Sequence, residues 1–133
     1  MVKLAHGDDR LERQLPRARR ITDGREIRSM MQRGKRSRTA HLDVFVSPSP
    51  AAHSRVGVVV PKHKQTAVRR NRLKRQLREV LRIELLPRLA CTPAHTDLLI
   101  RARREAYDAA FGVLRDELVN WADRVWWSGS SSS

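Results

Sequence analysis

Between Lys62 and Arg82 the chain reads KHKQTAVRRNRLKRQLREVLR, with nine Lys or Arg and a single acid, Glu79. Arginine forks match phosphate oxygens two bonds at a time, and lysine adds point charge. At about 100° per residue, a helix through this stretch sorts its side chains. Leu73, Leu77, Val80 and Leu81 share one arc. Asn71, Lys74, Arg75, Arg78 and Arg82 share the opposite arc, with Arg72 at its edge and Arg69 and Arg70 in the first turn. Nine cations to one anion leave few i, i+4 ion pairs, so the face calls for solvent or an external anion to screen it. Asn71 is a poor helix former amid the arginines, and a polar contact to a base, a phosphate or a metal-bound water explains it. The chemistry is polyanion binding.

The residues for protein-borne catalysis are scattered. Asp43, Asp97, Asp108 and Asp116 occur singly, without a D-x-D pairing. His6, His41, His53, His63 and His95 are dispersed, and Cys91 with His95 is a lone C-x3-H, short of four zinc ligands. Gly24 and Gly57 belong to a helix start and a strand, not to a phosphate loop. The sequence therefore predicts no catalytic residue and no metal site in the protein.

The 133 residues suit one domain, and 28 Lys plus Arg against 14 Asp plus Glu give a formal charge of +14. That excess attracts RNA, DNA or an acidic membrane surface and opposes self-association. No apolar run is long enough to span a bilayer, the N-terminus lacks a secretory h-region, and Cys91 is the only cysteine. These features predict a cytoplasmic protein. A membrane-surface helix would lay its apolar arc on lipid; this one spends that arc on a core. A DNA recognition helix calls for a short preceding helix and dimer symmetry, and neither shows.

The elements that must carry the basic helix follow from periodicity. Residues 1–19 read as a flexible basic arm ending near Arg17, Arg19 and Arg20, and residues 128–133 as a disordered Ser-rich tail; one domain fills 20–127. A helix starts near Thr22, with Asp23 and Glu26 as a capping box and Ile27, Met30 and Met31 on one stripe. Gly34 is placed to end it in the left-handed conformation. Lys35 to Arg38 read as a basic turn. Leu42, Val44 and Val46 alternate as a strand, with Phe45 on its other face. Arg55 to Val60 (RVGVVV) reads as a buried central strand closed by Pro61. A long helix from Ala67 to Leu86, N-capped by Thr66, stops at Pro87. A loop over 88–96 leads to a strand at Asp97–Ala102. A last helix spans Glu105–Trp126, with Phe111, Leu114, Leu118, Trp121 and Val125 on its buried face. The order predicts an α+β fold, one sheet covered by helices.

The stretch RVGVVVPKHKQTAVRRNRLKRQLREVLR resembles the signature of the bacterial ribonuclease P protein family: an RVG strand, a K-x-x-x-x-A-V connection, then R-N-R-x-K-R-x-x-R-E. Arg70, Asn71, Arg72, Lys74, Arg75, Arg78 and Glu79 stand in that register. The resemblance covers roughly residues 15 to 125. It implies a compact two-layer α/β sandwich, ribosomal-protein-like, with a four-stranded mixed sheet and a left-handed βαβ crossover, against the usual hand. It implies a protein subunit that binds a catalytic RNA and the 5′ leader of precursor tRNA. The RNA carries out hydrolysis with Mg2+ that it holds itself. The implied RNA contacts are Lys62, Lys64, Arg69, Arg70, Asn71, Arg72, Lys74, Arg75, Arg78 and Arg82.

The resemblance also implies a leader cleft, between a neighbouring helix and the sheet, whose aromatic positions fall on Ile27, Met31 and Phe45. Phe45 keeps the aromatic pattern, which suits base stacking. Ile27 and Met31 depart from it, so apolar contact replaces stacking there. Pro61 and Gln65 also depart from the family's connection and predict a stiffer loop. The alternative reading is a ribosomal or RNA-chaperone protein built on the same basic sandwich.

Overall fold

The computed structural model describes residues 16–128. Most of the predicted arm (1–15) and all but Ser128 of the predicted tail lie outside the described residues. In chain order the elements are a 3-10 turn Arg17–Arg19, α1 (Gly24–Arg33), β1 (Lys35–Arg38), β2 (Leu42–Pro48) and β3 (Arg55–Val59). Next come α2 (Ala67–Val80), a π-helical segment Leu81–Leu85, α3 (Leu86–Ala90) and β4 (Thr96–Ala102). A 3-10 turn Arg104–Asp108, α4 (Phe111–Ala122) and a π-helical end Asp123–Ser128 complete the fold.

The four strands form one mixed sheet in the order β1-β2-β4-β3. β2 pairs antiparallel with β1 and β4, and β3 pairs parallel with β4. Parallel neighbours need a crossover, and α2 with its continuation supplies it. One sheet face, with Leu42, Val44, Val56, Leu98, Ile100 and Ala102, packs on Leu73, Leu77, Val80, Leu81, Leu85 and Leu89 of the crossover helices and on Leu114, Leu118 and Trp121 of α4. This is the two-layer sandwich. The second face is covered in part by α1, where Phe45 and Leu99 meet Ile21 and Met30.

Several sequence expectations change here. The helix at Thr22 begins at Gly24, with Asp23 as N-cap accepting from the Arg25 amide at 2.8 Å. Glu26 does not complete a capping box. It turns to Arg55, at 2.8 Å, because Arg55 also holds the buried Asp97 at 2.6 Å and pins α1 to the sheet. Gly34 is not left-handed, with φ −66° and ψ 153°. It is needed for space, since a Cβ there would stand 2.6 Å from the Met30 carbonyl oxygen. Lys35–Arg38 is a strand, not a turn; its polar residues suit an edge position.

RVGVVV is an edge strand rather than a central one. Its apolar character comes from cover on both faces. Ile21 lies across Gly57, where a Cβ would meet Ile21 and Leu99 atoms at 3.0–3.1 Å. Arg20 bridges to Val56 along the outer edge, and the turn before it is held by His53 Nε2 donating to the Ala18 carbonyl at 2.6 Å. Pro87 does not stop the long helix. A new α segment begins at Leu86, so Pro87 falls in a first turn, where its missing N–H costs nothing. Buried Leu85 and Leu89 hold the chain through it, and the predicted loop at 88–96 shortens to 91–95. The last helix becomes α-helical only at Phe111. Leu114, Leu118 and Trp121 are buried as predicted, but Phe111 and Val125 are 37 % and 40 % exposed.

Candidate nucleic-acid interface

Thr66 N-caps α2 by accepting from the Arg69 amide. From there the predicted arcs hold: Leu73, Leu77, Val80 and Leu81 are buried, and Asn71, Arg72 and Arg75 are exposed. Lys74 and Arg78 are half-buried. Among the described residues, the side chains of Asn71, Arg72, Lys74, Arg75 and Arg78 have no hydrogen bond or ion pair. The other predicted contacts differ. Arg82 pairs with Glu79. Arg69 reaches Gln65, the Tyr107 carbonyl at 3.1 Å and Asp108 at 3.0 Å. Arg70 donates through Nε to the Val60 carbonyl at 2.7 Å, which fastens the helix start to the end of β3. Lys62 and Lys64 are exposed in the connection, where His63 and Lys64 take φ of 47° and 64°.

The cations act on one another. Burial, then Arg78 and Arg70, lowers the Lys74 ammonium pKa from its usual range. Burial, then Arg20, does the same to Arg78. Arg20, Arg70, Lys74 and Arg78 thus form one line of like charge from the β3 edge along α2. The Nε of Arg20 is buried without a hydrogen bond. Such a line is costly alone and favourable beside phosphates.

The predicted cleft residues do come together, under α1. Phe45 points away from the Leu42–Val46 face, as its alternation implies, but it is only 3 % exposed. It packs with Met30 and Leu99, while Ile27 and Met31 are half-buried around it. The expectation of an open stacking platform at Phe45 is therefore corrected: α1 and Arg36 cover the ring. What is open on this face is basic. Register places Arg36 beside Phe45 and Leu99, and Arg38 beside Asp43 and Arg101. Arg36, Arg38 and Arg101 are exposed. Sequence reasoning missed this trio. Alternation in KRSR signals it once the segment is taken as a strand.

Arg103 binds buried Asp43 at 3.0 Å and the Leu42 carbonyl at 2.7 Å, closing the end of β2. Glu117 accepts from the His41 amide at 2.8 Å and contacts His41 Nδ1 at 2.7 Å. Among the described residues no three His, Cys, Asp or Glu side chains converge to hold a metal ion. Nor is any helix long and apolar enough to cross a membrane.

A mixed sheet that carries a helix with a row of unpaired basic side chains on one face and a basic strand end on the other has the surface of a polyanion-binding protein. The chain belongs to the Ribonuclease P family, whose sequence model matches residues 15–126. It is 36% identical over 103 residues, 76% of either chain, to the ribonuclease P protein component of Desulfovibrio desulfuricans. Its fold is similar to the RNase P protein from Thermotoga maritima, with a TM-score of 0.64 and 26% identity over 79% of this chain and 96% of that one. It is also similar in fold to the Staphylococcus aureus RNase P protein, with a TM-score of 0.65 and 22% identity over 77% and 90%.

Proposed function

We propose that this chain is the protein subunit of a tRNA-processing ribonucleoprotein, ribonuclease P. It binds a catalytic RNA and the 5′ leader of precursor tRNA and aids removal of that leader. The observation that carries this reading is the row Asn71, Arg72, Lys74, Arg75 and Arg78, unpaired among the described residues, in a chain of this family. Those side chains take RNA phosphates, while Arg36, Arg38 and Arg101 line the path of the single-stranded leader with Ile27 and Met31 at its rim. Phe45 supports that path from beneath. Lys62 and Lys64 add charge beside the start of α2.

Hydrolysis of the phosphodiester is assigned to the RNA. Among the described residues no carboxylate cluster fits a Mg2+ site, and the two buried aspartates are spent on arginines: Asp43 on Arg103, Asp97 on Arg55. The ions belong to the RNA, and the protein lowers the Mg2+ needed by screening phosphate repulsion. The compartment is the cytoplasm, where exposed Cys91 stays reduced.

The test is reconstitution with the cognate catalytic RNA at low Mg2+. The protein alone leaves precursor tRNA intact, and its addition to the RNA restores cleavage. Cleavage by RNA-free protein overturns the assignment of chemistry. Pull-down dominated by ribosomal RNA overturns the assignment of partner.

A further inference from the structure

A second recognition feature lies on the far side of α2 from Arg20. Here Arg69, Arg72, Leu73 and Gln76 face Tyr107 and Phe111 across a cavity of about 400 Å³. That volume lies within the usual range of small-ligand pockets, about 300–1,000 Å³, and is too small for a helix or a duplex. We infer that this cavity receives one unpaired nucleotide of the RNA, with its base against Phe111 and Tyr107 and its phosphate on Arg72. The inference rests on the proposal that this chain binds RNA, and adds to it a site on the flank of the basic row, sharing Arg72 with it, and outside the leader path.

Three observations carry it. Phe111 continues the apolar stripe of α4 yet is 37 % exposed; it lines the cavity and belongs to neither buried core cluster. The Gln76 carboxamide, half-buried, makes no hydrogen bond among the described residues, so it offers a donor and an acceptor to a base edge. The charges are already sorted. Asp108, at the rim, neutralises Arg69 at 3.0 Å, and the Arg69 guanidinium stands 5.8 Å from the Tyr107 ring centroid. Arg72 is left as the uncompensated cation, while Tyr107 is fixed by its hydroxyl donating to the Pro61 carbonyl at 2.6 Å. A rigid aromatic, an exposed aromatic, a free amide and a free arginine are the parts that single-stranded nucleotide recognition uses. A membrane headgroup would not use Gln76, and an acidic peptide would meet Asp108.

The experiment measures affinity of the full chain for its cognate catalytic RNA across a salt series. Phe111→Leu keeps an apolar side chain but removes the ring, Phe111→Trp keeps a ring, and Arg75→Ala reports on the basic row. Phe111→Leu binds about tenfold more weakly with an unchanged salt slope, since stacking releases no counterion. Phe111→Trp binds as the parent does. Arg75→Ala flattens the slope. If Phe111→Leu binds like the parent while Arg75→Ala is weakened, the cavity is overturned and RNA binding stands. If neither weakens, RNA binding through α2 fails as well. A photoreactive benzoylphenylalanine in place of Phe111 reads the contact without removing the aromatic. Its cross-link maps to an unpaired nucleotide; cross-linking only to duplex RNA, or none, overturns the inference.

Discussion

The Arg36 guanidinium carbon stands 6.0 Å from the centroid of the Phe45 ring, and the two residues are direct partners across β1 and β2. The cation therefore rests on an aromatic that is itself buried. The ring organises the basic surface from below instead of meeting a base directly, so two effects that an exposed ring would combine are separated. Stability lives in Phe45, and charge lives in Arg36, Arg38 and Arg101.

Phe45→Ala follows from that separation. Removing a ring packed among Met30, Ile21 and Leu99 costs about 3–5 kcal/mol of folding stability. Urea unfolding measures it. Arg36→Ala leaves stability within about 1 kcal/mol, because the Arg36 side chain is largely exposed and Asp43, which it meets at 3.4 Å, keeps Arg103 as a partner. It selectively weakens binding of leader-bearing precursor relative to mature tRNA. A stable Phe45→Ala with a selective precursor defect would instead mean that the ring is open in solution.

The basic helix was legible because its two arcs follow from period alone, and Leu73, Leu77, Val80 and Leu81 are all buried. Phe45 was legible in direction but not in cover. Alternation places it on the second face, and only tertiary packing decides that α1 lies there. By sequence Lys35–Arg38 reads as a turn, because four polar residues carry no apolar alternation; its strand state comes from pairing with β2. Pro87 reads as a stop because helix breaking is a local rule, whereas buried Leu85 and Leu89 are a tertiary constraint. The arginines spent on structure, Arg55 and Arg103, cannot be told from RNA-binding ones by type. What separates them is a buried carboxylate brought near by the fold.

Arg75→Ala tests the electrostatic row. Arg75 is exposed and without a partner among the described residues, so the fold loses nothing when it is removed. Affinity for the cognate RNA falls by about 1–3 kcal/mol, the range for charge-assisted hydrogen bonds. The slope of log K against log salt flattens by about one. Filter binding across a salt series reads both. A fall in melting temperature matching the lost affinity would make Arg75 a structural residue.

Arg55 carries the opposite role. It binds Asp97, whose side chain is 3 % exposed, and reaches Glu26 on α1. These carboxylates hold the guanidinium more firmly protonated than usual, Asp97 first and Glu26 second. Arg55→Met leaves a buried carboxylate unpaired and costs about 3 kcal/mol. The double variant Arg55→Met with Asp97→Leu recovers most of that loss, since the charge is gone and apolar contact replaces it. Unfolding curves of both variants form the check. No recovery in the double variant would show that α1 docking through Glu26, not the buried charge, sets the cost.

Lys74 joins stability to binding with a definite sign. Its folded pKa lies below the unfolded value, chiefly through burial and then through Arg78 and Arg70. A base depressed on folding disfavours the native state while protonated. That cost is present at neutral pH and is relieved as pH rises through the window between the lowered folded pKa and the unfolded value. A bound anion relieves it at any pH, by restoring a partner to the cation. Lys74→Met therefore keeps or slightly raises stability in chloride, by less than about 1 kcal/mol given its solvent contact. The same variant gains less from sulfate than the parent does. Sulfate stabilises most proteins by exclusion from their surfaces, so the difference between variant and parent is the quantity that counts. It also binds the cognate RNA more weakly, by about 1–3 kcal/mol. Unfolding in chloride and sulfate at matched ionic strength, with RNA titration alongside, reads all three. A Lys74→Met protein less stable than the parent in chloride would show that Lys74 has a partner in the free protein, and the row along α2 would no longer be an unscreened one.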